Sequence, residues 1–382
     1  MSFASLPSDG RAASAVLVGA IGALAVTWGL AQRGRTRLSL ETPAAGGAPR
    51  VAEAAAAAPR EASAFSDPNF PHDATGHTFH LGVARGDVAP RVLSVGDASR
   101  AARIATACFD AGSAAPPIAS ARGFVTHTGA VRGVRVSVIA TGMGTPMMDF
   151  VVREVRAVVE GPLAIVRCVQ PCAYAFPVWA PVRHTQTRVR RVAECSYGTC
   201  GGLRAADGAP LVVVPAEGSV LVRREPDAVG EGAPSPYSIS RPVMPDAELT
   251  GLLLASLTAA LGAGGDAGGG APVVTGVDVT ADSFYSSQGR TNAHFADANA
   301  GLVERVLAAV PGARCMQMET FHMLDLARSS LPAAGRVRAS AAAIVIMNRA
   351  SGAVADADAV RALEVAGGRA CLEALVALPL GA

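Results

Sequence analysis

Residues 92–100 read VLSVGDASR and join an apolar run to a Gly-Asp turn and then to polar residues. Residues 92–95 are typical of a buried strand, and residues 101–107 of a helix that follows it. A turn at the start of a helix brings backbone N–H groups to one place, and the partial positive charge of the helix end favours an oxyanion. The stretch therefore predicts a strand, a turn and a helix, with an anion site at the turn; an ordinary β–α connection is the alternative.

The same alternation of short apolar runs and helical patterns continues along the chain. Further strands are predicted at residues 134–139, 163–166, 211–214 and 342–347. Helices are predicted at residues 148–159, 320–328 and 359–377. Such alternation favours an α/β sandwich over two independent domains.

The composition restricts the classes of function. The chain has 382 residues, of which 50% are hydrophobic, so a sizeable core is possible. A net charge of +2 is too small to indicate a nucleic-acid partner. The sequence contains no lysine, so a phosphate site must use arginine or backbone N–H groups. Seven scattered cysteines argue against a disulfide framework and favour a reducing compartment.

The N-terminal residues differ in composition from the rest. Residues 12–31 form an uncharged apolar run that is long enough to cross a hydrocarbon core of ~30 Å, and the arginine-rich residues 32–37 follow it. The run predicts either an anchor with its C-terminal side in the cytoplasm or a cleaved signal or organelle-targeting segment. We therefore expect an anchor or targeting segment at 1–40, an Ala/Pro/Gly-rich linker at 41–70 and a folded domain at 71–382. The predicted location is membrane-anchored and cytoplasm-facing, or organelle-targeted.

Two further segments carry side chains suited to a nucleoside. Residues 280–290 read TADSFYSSQGR and place an aromatic, an amide and a guanidinium close together, as recognition of a flat hydrogen-bonding ring requires. Gln288 offers both a donor and an acceptor, and Arg290 donates. Residues 316–319 read MQME and place the carboxylate of Glu319 behind a thioether, which suits a sugar hydroxyl beside an apolar surface.

These motifs resemble the nucleoside phosphorylase superfamily, in its uridine phosphorylase branch, over residues 79–377. Residues 96–100 resemble its phosphate motif with Ala98 in place of the usual proline, and residues 141–144 (TGMG) match a second turn. Residues 316–319 resemble its Glu-Met-Glu segment, with Gln317 in place of the first glutamate.

The resemblance implies a three-layer α/β sandwich with a mixed, partly barrel-like central sheet. The implied enzyme is a pentosyltransferase of pyrimidine salvage, which converts uridine and phosphate reversibly to uracil and ribose 1-phosphate. Phosphate is the co-substrate, and neither a metal nor an organic cofactor is implied.

The resemblance also implies a role for each matching residue. The phosphate residues are Gly96, Arg100, Arg122, Arg167 and Thr199. The ribose residues are His80, Met318 and Glu319, and the uracil residues are Phe284, Gln288, Arg290 and Arg349. Of these, Gln288, Arg290 and Arg349 are expected to stabilise charge on the departing uracil. His80 and Arg122 reach a neighbouring subunit in the family, which implies a homodimer or homohexamer with shared active sites.

One departure from the family concerns the strand that ends at Arg167. The expected continuation, Tyr197-Gly198-Thr199, appears only after residues 168–196, an unusual insertion that is interpreted as a retained intron or an extruded loop. Displacing a positioning residue by ~1 Å costs on the order of 100-fold in rate, so the insertion threatens the phosphate site. A non-catalytic nucleoside-binding protein is therefore one alternative function.

A second departure concerns the choice of base. Asn348-Arg349 stands where purine nucleoside phosphorylases of the superfamily carry a catalytic aspartate. This pattern favours a pyrimidine, and a purine nucleoside phosphorylase is the other alternative.

Overall fold

The described part of this computed structural model comprises residues 67–169, 200–228, 235–262 and 270–380, without residues 205, 206, 208 and 292. Its strands are β1 Arg91–Val95, β2 Ile118–Ala119, β3 Val125–Val131, β4 Val134–Ala140, β5 Leu163–Val169, β6 Gly201–Gly202, β7 Leu211–Val214, β8 Ser219–Arg224, β9 Tyr237–Ile239, β10 Val273–Thr275, β11 Val277–Ala281, β12 Ala313–Gln317, β13 Val337–Val345 and β14 Met347–Asn348. Its helices are α1 Ala98–Cys108, α2 Thr145–Val158, α3 Ala247–Leu261, α4 Leu302–Ala309, α5 Thr320–Ser329 and α6 Ala357–Ala377. Two short 3-10 helices occupy Pro226–Ala228 and Pro332–Ala334.

The described strands form two mixed sheets. The first has the order β10-β7-β13-β5-β1-β4-β3-β2, and the second has the order β14-β6-β12-β11-β8-β9. In the first sheet β13, β5, β1 and β4 run parallel to one another. Because the carboxyl ends of parallel strands meet at one edge, the loops after β1, β4 and β5 lie close together.

Helices cover both faces of the first sheet. Side chains of α1, α3 and α6 pack on one face, for example Ile104, Leu253 and Leu372. Side chains of α2 and α5 pack on the other, for example Met148 and Met323. The alternation of buried strand side chains between the two faces explains the continuous apolar runs in the sequence. The predicted three-layer α/β sandwich with mixed strands is confirmed, and the described strands close into no barrel.

Local sequence explains where several helices begin. Asp97, Asp246 and Asp356 are the N-cap residues of α1, α3 and α6, and the carboxylate of each accepts a hydrogen bond of 2.9 Å from a backbone N–H of the first turn. Helix α2 begins differently, after Gly144, whose φ of +99° lies in a region that L side chains rarely adopt.

The late apolar run differs from its prediction as one strand over residues 342–347. β13 begins earlier, at Val337, and ends at Val345; after Ile346 the chain continues as β14 in the second sheet. The run is divided because its two ends pair with different sheets. This crossing carries Asn348 and Arg349 from one sheet to the other.

The predicted membrane-anchored or organelle-targeted location is corrected by the structure. Within residues 67–380, wherever the chain is described, no helix combines the length and the apolar character needed to cross a bilayer. Residues 12–31, on which that prediction depended, lie outside the described residues. The domain boundaries at residues 40 and 70 stay predictions.

Candidate active site

The ends of β1 and β4 are joined directly by their loops. Thr141 N–H donates to the Val95 carbonyl (2.8 Å), and Gly142 N–H donates to the Gly96 carbonyl (3.0 Å). The two turns that the sequence singled out therefore lie side by side at the carboxyl edge of the first sheet.

Arg167, on β5, is buried beneath these turns, with 1% of its surface exposed. Its guanidinium donates to Ser94 Oγ (3.0 Å), to Thr141 Oγ1 and to the Gly142 carbonyl (3.3 Å). Its Nε makes no hydrogen bond with the described residues. Burial lowers the pKa of Arg167, while Glu319 opposes that shift. A buried guanidinium with spare donor capacity is suited to an oxyanion.

Glu319 connects this edge with the second sheet. Its carboxylate accepts a hydrogen bond from Gly144 N–H (2.7 Å) and lies 3.6 Å from Arg167 NH2. Glu319 is 1% exposed. Met318 lies beside it, since a Cβ at Gly144 would come within 3.9 Å of the Met318 methyl carbon. The structure thus brings Met318, Glu319 and Arg167 into one buried region.

Arg100, on α1, is fully buried and is held by carboxylates. Its Nε and NH2 donate to Oε1 of Glu364 on α6 (3.2 and 3.1 Å), and its NH1 lies 3.2 Å from Asp97 Oδ2. Arg103 donates to the other oxygen of Glu364 (2.5 Å). Glu364 was not predicted as a site residue, although an acidic residue between the buried Leu363 and the buried Gly367 on a helix is a recognisable signal.

A second cluster forms around the loop after β11. Gln288 is 1% exposed; its Oε1 accepts from Arg290 NH1, and its Nε2 is buried without a hydrogen-bond partner in the described chain. The Arg290 guanidinium also donates to the Phe284 carbonyl (2.8 Å) and stacks over the Phe284 ring at 3.9 Å. Aromatic, amide and guanidinium groups are therefore close together, as the sequence predicted.

Arg349 reaches this cluster from β14. Its NH2 donates to the Gln288 carbonyl, and its NH1 lies 3.3 Å from Met316 Sδ. Its aliphatic part lies against Gly201, where an added Cβ would meet Arg349 Cδ at 2.7 Å. Any side chain at residue 201 would therefore displace Arg349.

The two arginines of this cluster are charged and partly desolvated. Burial lowers the pKa of Arg290 to about 10, and the charge of Arg349 adds to the shift. Burial also lowers the pKa of Arg349, and the charge of Glu304 opposes that shift. Both remain protonated near neutral pH, and neither takes part in an ion pair among the residues described. The cluster is therefore electropositive and suited to negative charge on a ligand.

His80 and Arg122 lie in a different environment from the buried residues above. His80 Nδ1 lies 2.6 Å from Glu154 Oε1, and its ring stacks on Phe150 with centroids 3.7 Å apart. The Arg122 guanidinium lies over the Phe79 ring at 3.7 Å and is otherwise exposed. The pair forms a partly exposed aromatic and cationic surface.

Three predictions about the site are not tested by this geometry: the role of Thr199, the effect of the insertion and the lack of a metal or cofactor. Thr199 and most of the insertion lie outside the described residues, whereas Cys168 and Val169 still belong to β5 and pair with Ala342 and Ala343. In the part of the chain that is described, no group of His, Cys, Asp and Glu side chains could hold a metal ion. The expectation that no metal or cofactor is needed stays a prediction.

Comparison with known proteins agrees with this fold. The family model of the phosphorylase superfamily matches residues 90–170 and 171–377. A solved structure from a study of two uridine phosphorylases of the oomycete Phytophthora capsici is 38% identical, with a TM-score of 0.69, over 83% of this chain and 100% of that chain. The crystal structure of a Trypanosoma brucei nucleoside phosphorylase that shows uridine phosphorylase activity has a TM-score of 0.61 over 81% of this chain and 100% of its own. At 20% identity, it supports the fold alone.

Curated relatives match over shorter segments. A Thermococcus kodakarensis uridine phosphorylase is 34% identical over 94 residues, which are 25% of this chain and 32% of that protein. A DeoD-type purine nucleoside phosphorylase of Geobacillus kaustophilus is 36% identical over 75 residues, 20% of this chain and 30% of that protein. The chain thus spans about a third of the length of the curated relatives it matches. The family-level prediction of an enzyme of the nucleoside phosphorylase type is confirmed, and the chain belongs to the phosphorylase superfamily.

Proposed function

We propose that this protein is a uridine phosphorylase of pyrimidine salvage, which converts uridine and phosphate reversibly to uracil and ribose 1-phosphate. The observation that carries the proposal is the cluster of Gln288, Arg290 and Arg349. It offers to one flat ligand a buried amide N–H group without a partner in the described chain and two partly buried positive charges. Uracil presents carbonyl acceptors, which the amide N–H group can bind. It also becomes anionic as the glycosidic bond breaks, and the two positive charges can stabilise that anion.

The reaction requires differential stabilisation of its transition state. As the sugar acquires oxocarbenium character, phosphate attacks C1′ and the bonding electrons leave with uracil. Arg290 and Arg349 stabilise that developing charge, and Gln288 orients the ring. At a site that excludes water, removing one such donor typically costs ~3 kcal/mol of transition-state stabilisation.

Phosphate and ribose are assigned to the carboxyl edge of the first sheet. Gly96, Arg100, Arg167 and Thr199 are proposed to bind phosphate, and Glu319 to accept hydrogen bonds from the ribose hydroxyls while Met318 lies under the sugar. Buried Arg167, whose Nε has no partner among the described residues, supports this assignment. Phosphate is the co-substrate, and no other cofactor is proposed.

His80 and Arg122 are proposed to complete the active site of a neighbouring copy of the chain. Their partly exposed position, on a surface with Phe79 and Phe150, supports this assignment. The oligomer is then a homodimer or homohexamer in which a single subunit is inactive.

The preference for uridine over a purine nucleoside rests on Asn348. Its Nδ2 donates to the carbonyls of Arg204 (2.7 Å) and Asp207, and its Oδ1 accepts from Ala350 N–H and Ser351 N–H (both 2.9 Å). A carboxamide has no titratable proton near neutral pH, and this one is already engaged by backbone groups, so it offers no acid to protonate a purine. The short matches to purine nucleoside phosphorylases make inosine the necessary comparison.

The test is phosphorolysis by the purified full chain and by a variant that lacks residues 168–196. Uridine, thymidine or inosine is incubated with and without phosphate, and nucleoside absorbance is followed. We expect phosphate-dependent loss of uridine; faster loss of inosine would favour the purine alternative. Turnover only by the shortened variant would mean that the insertion disables the site. Uridine binding that ignores phosphate, with no turnover in either protein, would contradict the proposal.

A further inference from the structure

Helix α5, which follows Glu319, begins without a cap from its own N-cap side chain. Glu319 occupies that position, but its carboxylate is directed to Gly144 and Arg167 instead. The first N–H groups of a helix need acceptors when they are buried. Strands of the second sheet therefore have to supply them.

Two side chains provide these acceptors. Gln317 Oε1, at the end of β12, accepts from the N–H groups of Glu319 and of Thr320 (3.2 Å). Thr280 Oγ1, on β11, accepts from Phe321 N–H (2.8 Å). The backbone at Glu319 is thus held by the amide oxygen of Gln317.

The orientation of the Gln317 amide is set by Asp278. Gln317 Nε2 donates to Asp278 Oδ2 (2.6 Å) and to Thr280 Oγ1 (2.5 Å). Asp278 Oδ2 also accepts from Ser219 Oγ (2.6 Å) and from Thr280 Oγ1 (3.0 Å), so the carboxylate takes the Thr280 proton and leaves that hydroxyl oxygen free to accept from the amide. An ionised carboxylate only accepts hydrogen bonds, so the NH2 end of the amide must face Asp278 and the oxygen must face the helix. Without the carboxylate, the amide could rotate and present N–H groups to other N–H groups.

We propose that Asp278 is a positioning residue for the active site, which orients Gln317 and thereby holds Glu319 where it binds the ribose. The inference rests on the proposed function in one respect, the assignment of Glu319 to ribose. Asp278 is fully enclosed, at 1% exposure, and the hydrogen bonds of its carboxylate in the described chain join Ser219, Thr280, Cys315 and Gln317, none of which is assigned to substrate. The sequence carries a signal for it, since one carboxylate stands between Val277 and Val279 of a buried strand.

The family resemblance makes the pairing testable. The resembled segment has glutamate at the position of Gln317, and a carboxylate there accepts from helix N–H groups in either orientation. In this chain a glutamate would instead face Asp278, and two buried carboxylates in contact repel one another. Combining D278N with Q317E exchanges the two groups, so that the new amide on β11 donates to the new carboxylate on β12. The exchange restores one carboxylate, one amide and an acceptor for the helix.

The experiment compares four proteins: the wild type, D278N, Q317E and the exchange variant D278N/Q317E. Losing a hydrogen bond to a charged group changes an equilibrium constant by about 10-fold or more. We therefore expect D278N and Q317E each to raise KM for uridine by at least that factor. KM for phosphate should change much less, because Arg167 keeps its contacts with Ser94, Thr141 and Gly142. The exchange variant should recover most of the lost uridine affinity.

The matched control is D325N, an acidic residue on the outer side of α5 that pairs only with Arg328 within the described chain. It should leave both KM values unchanged. The proposal is overturned if D278N keeps the wild-type KM for uridine. It is also overturned if D278N/Q317E is no better than the worse single variant.

Folding failure and functional failure are separated by urea unfolding of all four proteins. If the single variants do not fold, a folded and active exchange variant supports the pairing, and an unfolded one overturns it. If the wild type does not turn over uridine, the proposed function fails. The pairing is then judged on stability alone: recovery in the exchange variant supports it, and the absence of recovery overturns it.

Discussion

Arg100 on α1 and Glu364 on α6 form a buried ion pair between the first and the last helix of the described domain. Two guanidinium nitrogens of Arg100 lie 3.2 and 3.1 Å from Oε1 of Glu364. The two residues are 264 positions apart in the chain. The pair fixes the direction of a guanidinium that we assign to phosphate.

Replacing Glu364 with alanine should destabilise the fold strongly. Without Glu364, only Asp97 among the described residues would remain to balance the charges of Arg100 and Arg103, and removing one partner of a buried ion pair costs about 3–5 kcal/mol. We expect the free energy of unfolding in urea to fall by that amount. Glu160→Ala is the control, because Glu160 and its partner Arg85 are about three-quarters exposed and their pair should contribute little. Equal unfolding midpoints for E364A and wild type would contradict the prediction.

Replacing Arg349 with methionine should reduce kcat for uridine by about 100–1000-fold, the usual effect of removing one donor that stabilises developing charge. KM for phosphate should change little, because Arg349 contacts Gln288 and Met316 rather than the arginines at the sheet edge. Steady-state rates at varied uridine and phosphate measure both quantities. Arg361→Met on the exposed side of α6 is the control. An unchanged kcat in R349M would remove Arg349 from the mechanism.

Uridine affinity should depend on pH through Asp278. Burial raises its pKa to about 6, although its hydrogen bonds oppose the shift. The ionised form orients Gln317, so KM for uridine should rise as the pH falls through about 6, and D278N should lose this dependence. The titratable groups nearby are the Cys315 thiol, which hydrogen bonding with Cys200 and burial keep neutral by raising its pKa, and Glu319 beyond Gln317.

Lowering the pH through the pKa of Asp278 should weaken uridine binding but increase the stability of the fold. The pKa of Asp278 is raised in the folded state, so its contribution to stability is present below pH ~4 and is lost as the pH rises through about 6. The loss is on the order of 3 kcal/mol. Urea unfolding of wild type and D278N between pH 4 and 7 measures it, and parallel pH profiles for the two proteins would contradict the assignment.

Subunits with different defects should complement one another if the active site is shared. In a dimer of R122A and R349M chains, one site carries both defects and the other carries neither. Co-expression should therefore restore about a quarter of the wild-type turnover when chains mix at random. R122A and R349M expressed separately and then combined as stable oligomers serve as the control. No recovery on co-expression would place Arg122 outside the partner's site.

Much of the cluster around the loop after β11 was predictable from sequence because it is local. Phe284, Gln288 and Arg290 lie within seven residues, and the structure joins them through hydrogen bonds inside one loop. Gly96 and Gly142 were also recognisable, since each follows a strong apolar strand. Arg349 was identified by resemblance, but its contact with Gln288 spans 61 residues and depends on β13 and β14 lying in different sheets.

The amino-acid sequence by itself determined the succession of strands and helices, the absence of lysine chemistry and the residue types around each turn. These depend on apolar periodicity, on capping and on composition, which are properties of neighbouring residues. Only the tertiary structure decided the partner of each charged side chain. Glu364 pairs with Arg100, Asp278 accepts a hydrogen bond from Gln317, and Arg290 and Arg349 form no ion pair in the described chain. The physical reason is that desolvation and pairing depend on distances between strands and helices that are far apart in sequence.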